Sequence, residues 1–204
     1  MALAILVALA LTLLRPTQID VAPKWALPVV ELVLLATLIT RDPGRIDRRT
    51  AGLRVVSIIV VGLLAVDALV ATVRLITVLI EGGKTTSSAQ TLLQAGGVVW
   101  ASNVIVFALL YWELDGGGAA ARVYRLRPHP DLAFPQQLTP EIAPPDWRPA
   151  FIDYLYLGLT NSTAFSPTDV MPLAPWAKIA MGCQSLMSLV ILGLVVARAV
   201  NVLS

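Results

Sequence analysis

Oxygen-bearing side chains crowd ten residues late in the chain, among them Thr160, Thr163, Ser166, Thr168 and Asp169. A cation that sheds water needs replacement oxygens, and a ring of copies of this segment would offer hydroxyls with an acidic ring at one mouth. A second set lies inside apolar runs: Glu31, Asp67 and Arg74. Ionisable groups at membrane depth are costly and are functional candidates by default. Asp67 and Arg74 are seven positions apart, so they share one helix face roughly 10 Å apart. Arg74 is long enough to approach Asp67 or Glu31. This set reads either as a structural ion pair between helices or as part of a proton or ion pathway. Arg54 and Arg74 are too widely spaced for a voltage sensor, which carries arginines about a turn apart. Asn103 is expected to hydrogen-bond a neighbouring helix.

Other chemistries lack their parts. One histidine, His129, sits in the rigid run Arg127-Pro128-His129-Pro130, and one cysteine, Cys183, lies in an apolar run where it reads as a small buried hydrophobe. Neither a disulfide nor a metal centre is expected. A Ser–His–Asp set is not available. Gly82-Gly83-Lys84-Thr85 lacks the upstream glycine and the strand of a phosphate loop. The chain is expected to be no enzyme and to hold no cofactor. A net charge of +2 gives no basic field for nucleic acid.

The elements that must position these residues are membrane helices. Of the 204 residues, 57% are hydrophobic and 14% charged, against roughly 25% charged in a soluble domain. The surplus apolar surface must face lipid. Apolar stretches cover Ala2–Leu14, Trp25–Thr40, Leu53–Ile80, Gln90–Trp112 and Trp176–Leu203, to be judged against the roughly 20 residues a span requires. The first lacks a basic start and a cleavage site, so it reads as an anchor, not a secretory signal. Arg41, Arg45, Arg48, Arg49 and Arg54 lie in one connection and Arg122, Arg125, Arg127 and Arg148 in another, while 81–89 holds only Lys84. That bias places the two arginine-rich segments, and the N-terminus, in the cytoplasm. Segment 113–149 opens on three glycines and carries repeated prolines, the composition of an extended linker. Its Trp147 and Arg148 suit a headgroup interface.

From Asp153 the order is an amphipathic segment of about 15 residues, a cluster of hydroxyls and amides, an acid, Pro172 and a long apolar helix. This order resembles the pore hairpin of the tetrameric potassium-channel superfamily. Thr160, Thr163, Asp169 and Pro172 fall where that motif places its hydroxyls, its acid after the filter and its proline. The segment is also similar to a family of bacterial inner-membrane proteins of unknown function, through Asp153-Tyr154-Leu155-Tyr156 and Ala164-Phe165-Ser166-Pro167-Thr168-Asp169. The likeness covers about the last quarter of the chain; the first 112 residues share only the pattern of spans. It implies a tetramer conducting a monovalent or divalent cation along its axis. The departure is chemical: no glycine occurs between Leu159 and Pro172, and aiming successive carbonyls at an axis needs backbone angles that few other residues tolerate. A wider, hydrated, weakly selective path suits these residues better.

The expected fold is all-α: a polytopic transmembrane bundle of five spans, with a re-entrant or short crossing segment at 150–169. Residues 1–112 form four helices, 113–149 a Pro/Gly-rich loop, and 150–204 a pore-loop-like hairpin with the last helix. Gly182 and Gly193 are candidates for gating or for close packing between subunits, and Gly193 with Ala197 forms a small-residue face. Two other classes stay open. One is a structural or accessory membrane protein whose hairpin is a buried broken helix. The other is a small transporter using Glu31, Asp67 and Arg74.

Overall fold

The computed structural model describes residues 2–16, 25, 28–30, 32–33, 36, 51–81, 88–164 and 169–203. Its helices are α1 (Ala2–Leu14), α2 (Ala51–Glu81), α3 (Ala89–Leu114), the short α4 (Ala119–Val123) and α5 (Pro135–Leu138), α6 (Phe151–Ala164) and α7 (Pro175–Leu203). Two-residue strands β1 (Leu132–Ala133) and β2 (Met171–Pro172) pair antiparallel, Leu132 opposite Pro172 and Ala133 opposite Met171.

Among the described residues, three helices are long and apolar enough to cross a membrane: α2, α3 and α7. Their rise gives about 46, 39 and 44 Å, ample for a hydrocarbon core of about 30 Å. Five spans are therefore not what these residues support. α1 has 13 residues and reaches only about 20 Å, ending at Arg15-Pro16. Most of 25–40 lies outside the described residues.

Helix α3 is the centre of the bundle, and α1, α2, α6 and α7 all pack against it. Ile5 and Leu9 meet Val61, Leu64 and Leu109 in one apolar cluster. Leu75, Leu92 and Val99 join Ile191 and Val195 in a second. A third, at the opposite end of α3, gathers Tyr111, Leu132, Phe134, Tyr154, Leu157 and Met181. Early α3 thus meets late α7, and late α3 meets early α7, so the two run antiparallel.

Close approach is concentrated at glycines that belong to no motif. A Cβ on Gly158 would stand 2.9 Å from the Val104 carbonyl oxygen, and one on Gly96 would stand 2.6 Å from Val195 Cγ2. At Gly182 and Gly193 a Cβ would meet nothing within 4 Å; both are exposed on α7, so among the described residues neither packs another helix. Gly158→Ala should lose about 1 kcal/mol, the overpacking cost exceeding the gain in helix propensity. Gly182→Ala should be neutral or gain up to about 1 kcal/mol from propensity alone. Unfolding in mixed micelles, read by circular dichroism, checks the pair. Cys183 is also exposed, not the buried hydrophobe its apolar setting suggested.

Segment 113–149 is more than an extended linker. Gly116, Gly117 and Gly118 have φ of +57°, +85° and +96°, a left-handed run that glycine adopts without steric cost. It turns the chain back over the end of α3, and α4, β1 and α5 follow as a cap on the third apolar cluster.

Candidate functional site

The hairpin 151–172 is anchored at both ends to one buried carboxylate. Asp115, fully buried at the end of α3, accepts the Tyr154 hydroxyl at 2.6 Å. Its other oxygen accepts the amides of Asp131 at 2.9 Å and Leu132 at 3.0 Å. Leu132 belongs to β1, which holds β2, and the Leu173 amide donates to the Asp131 carbonyl at 2.8 Å. The start of α6 and the start of α7 therefore lie at the same end of α3. Trp112 packs edge-on against Tyr154 and Phe151, with ring centres 5.4 and 6.0 Å away.

From that end α6 runs back along α3, its Gly158 reaching Val104 and Ala108. Val104 lies about 15 Å along the helix from Leu114. The 14 residues of α6 span about 21 Å, short of a full crossing. A second polar network holds this inner half. Gln184 of α7 accepts the Tyr111 hydroxyl at 2.7 Å and Asn161 Nδ2 at 2.8 Å. It donates to the Gly158 carbonyl at 2.9 Å and to Ser162 Oγ at 2.8 Å. Asn161 Nδ2 also donates to the Met181 carbonyl, and Ser185 Oγ donates to Asn161 Oδ1. Every polar atom of Gln184 is occupied, as a buried amide requires. This network binds α3, α6 and α7 into one unit.

The candidate cation ligands face the other way. Thr163 and Asp169 are exposed and Thr160 is half-buried. The Thr160 hydroxyl donates to the Tyr156 carbonyl at 2.8 Å and Thr163 to Leu159 at 3.0 Å, the back-bonding usual for hydroxyls in membrane helices. Each hydroxyl oxygen keeps its acceptor lone pairs. Among the described residues, no group bonds the Asp169 carboxylate. Ser166 and Thr168 lie outside the described residues.

The intramembrane charges are arranged differently from the expectation. Asp67, half-way along α2, is bridged by Arg15 Nη2, which also donates to Thr12 Oγ1 at 3.0 Å. Arg15 is 4% exposed and Asp67 11%, so the pair sits inside the bundle. Arg74 is exposed and, among the described residues, makes no ion pair; Glu31 lies outside them. The described partner of Asp67 is thus Arg15, the residue that directly follows α1. The sequence signal was available, since Arg15 directly follows an apolar run. Asn103 Nδ2 donates to Thr72 Oγ1 of α2 at 3.2 Å, the interhelical bond expected of it. Among the described residues no three His, Cys, Asp or Glu side chains gather as a metal-binding set.

Comparison with protein-family models, with curated proteins and with solved structures finds no match to this chain.

Proposed function

We propose that this protein is a weakly selective cation channel, built as a homo-oligomer around hairpins that enter and leave the membrane on one side. One observation carries the reading: α6 ends part-way along α3, yet β2, beyond it, is tied back to Asp115, where α6 began. A short helix pointing its C-terminus into the bilayer places partial negative charge there, which favours a cation. Thr160 and Thr163, near the end of α6, support a path to which Ser166 and Thr168 add hydroxyls, and Asp169 forms an acidic ring at the mouth. The order of parts is that of the potassium-channel pore hairpin, from which a tetramer is proposed. The arginine bias turns the hairpin towards the cytoplasm, inverted relative to those channels, with the N-terminus on the same side. The protein is a multi-pass protein of a bacterial inner membrane in this reading. Gly182 and Gly193, open on α7, are available for contact with a neighbouring subunit.

A non-conducting accessory role is the second reading. The network of Tyr111, Asn161, Ser162 and Gln184 favours it, because that network alone accounts for the buried polar residues of the hairpin.

Cation flux into proteoliposomes separates the two. Asp169→Asn should lower flux about threefold at low salt and leave it nearly unchanged near 1 M, where the Debye length falls to about 3 Å and screens a mouth charge. Thr163→Val and Thr168→Val should change the relative permeability of sodium and potassium. No flux above empty liposomes, from folded oligomeric protein, removes the channel and leaves the accessory role.

A further inference from the structure

The cap over α3 contains a concave surface that conduction does not use. A pocket of about 420 Å³ opens there, lined by Arg122, Arg125, Arg127, His129, Trp147 and Arg148 among others. That is within the range of small-ligand sites, about 300–1,000 Å³. No carboxylate lines it. Asp131, beside Arg127, accepts the Gly116 amide at 2.9 Å and lies 3.7 Å from that arginine. A cytoplasmic loop needs basic residues only somewhere along its length. Convergence of four arginines on one concavity requires a further reason, because like charges repel unless an anion joins them.

Two of these arginines have their side chains fixed by backbone carbonyls. Arg122 Nη1 donates to the carbonyls of Trp112 at 2.8 Å and Asp115 at 2.6 Å, and its guanidinium lies over the Trp112 and Tyr154 rings. Its Nη2 is buried with no partner among the described residues. Arg148 Nη1 is fixed on the Val123 carbonyl at 2.8 Å. Arg125 closes α4 with φ of +51°. The Leu126 amide reaches the Ala121 carbonyl at 2.9 Å and the Arg125 amide reaches Arg122 at 3.4 Å. This pairing is the Schellman helix end, whose left-handed position favours glycine. An arginine there accepts backbone strain and keeps a charge at the pocket wall.

We propose that this pocket binds a phosphate group at the level of the lipid headgroups. Planar guanidinium forks match phosphate oxygens two at a time, and a phosphate monoester brings close to two negative charges and three acceptor oxygens. Trp147, on the rim and packed 6.0 Å from Phe134, is the residue type that settles at the headgroup boundary. The phosphate can come from a lipid such as phosphatidic acid or from a soluble phosphorylated compound; the recognition chemistry is the same.

Full-length protein in neutral detergent distinguishes these sources. Native mass spectrometry would measure retention of phosphatidic acid against phosphatidylcholine, and calorimetry would measure binding of inorganic pyrophosphate. Arg148→Gln and Arg125→Gly should each weaken binding about tenfold, as expected when one partner of a close charge pair is removed. Arg125→Gly relieves the left-handed backbone, so its thermal stability should not fall and a loss of binding there is not a loss of fold. Selective retention of phosphatidic acid without pyrophosphate binding identifies a lipid headgroup; saturable pyrophosphate binding identifies a soluble ligand. Binding of neither, or binding that both variants leave unchanged, overturns the site.

Discussion

Asp115→Ala is expected to cost about 4 kcal/mol of stability, because each buried group left without its partner loses roughly 1–3 kcal/mol. The carboxylate serves the Tyr154 hydroxyl and the amides of Asp131 and Leu132, and the side chain is wholly buried. Water cannot replace it without opening the cap. Asp115→Asn keeps the shape but turns one donor towards other donors, so its loss should be intermediate. Tyr154→Phe removes a single bond and should cost about 1 kcal/mol. Denaturant titration in mixed micelles should give that order, Ala worst and Phe mildest. Under the channel reading, Asp115→Ala also unties the return of the hairpin and should abolish flux while α2, α3 and α7 keep their helicity. An Asp115→Ala protein within 1 kcal/mol of wild type would mean that the hairpin is anchored elsewhere.

The second large effect is expected at the Arg15–Asp67 pair. Removing one partner of a buried ion pair typically costs 3–5 kcal/mol, since the other is stranded in an apolar setting. Asp67→Leu strands Arg15, and Arg15→Met strands Asp67, which lies half-way along an apolar helix. Single losses also contain each residue's other contacts, such as Arg15 with Thr12. The decisive quantity is therefore the coupling from the full double-mutant cycle, expected to be about 2 kcal/mol. A coupling below about 0.5 kcal/mol would show that the two groups do not depend on one another. Equal flux in the wild type and the double variant would assign the pair to structure and remove it from any ion path.

Much of the architecture was legible in the residues. The apolar runs at 53–80, 90–112 and 176–203 match α2, α3 and α7 to within a few positions, because a run's length can be compared directly with bilayer thickness. The amphipathic stretch from Asp153 likewise matches α6, whose length marks it as too short to cross. The first apolar run failed as a full span for the same kind of reason: it is helical, but 13 residues do not reach across. The loop 113–149 is legible only in part, because its prolines and glycines report only what it cannot form. Its folding onto α3 depends on a distant acceptor, Asp115, and on aromatic rings supplied by α3 and α6.

By itself the sequence located the three long apolar helices α2, α3 and α7 and the short amphipathic α6, while overcounting the spans. These are local properties, set by composition and periodicity within one turn or one run. Only the tertiary structure decided which polar groups share a bond. Tyr154 lies 39 positions from Asp115, Arg15 52 from Asp67, and Tyr111 73 from Gln184. Partners so far apart meet through the packing of whole helices, and that packing rests on small contacts such as Gly158 against Val104. A buried polar group announces in sequence that it needs a partner; which partner it takes depends on where the rest of the chain brings its own.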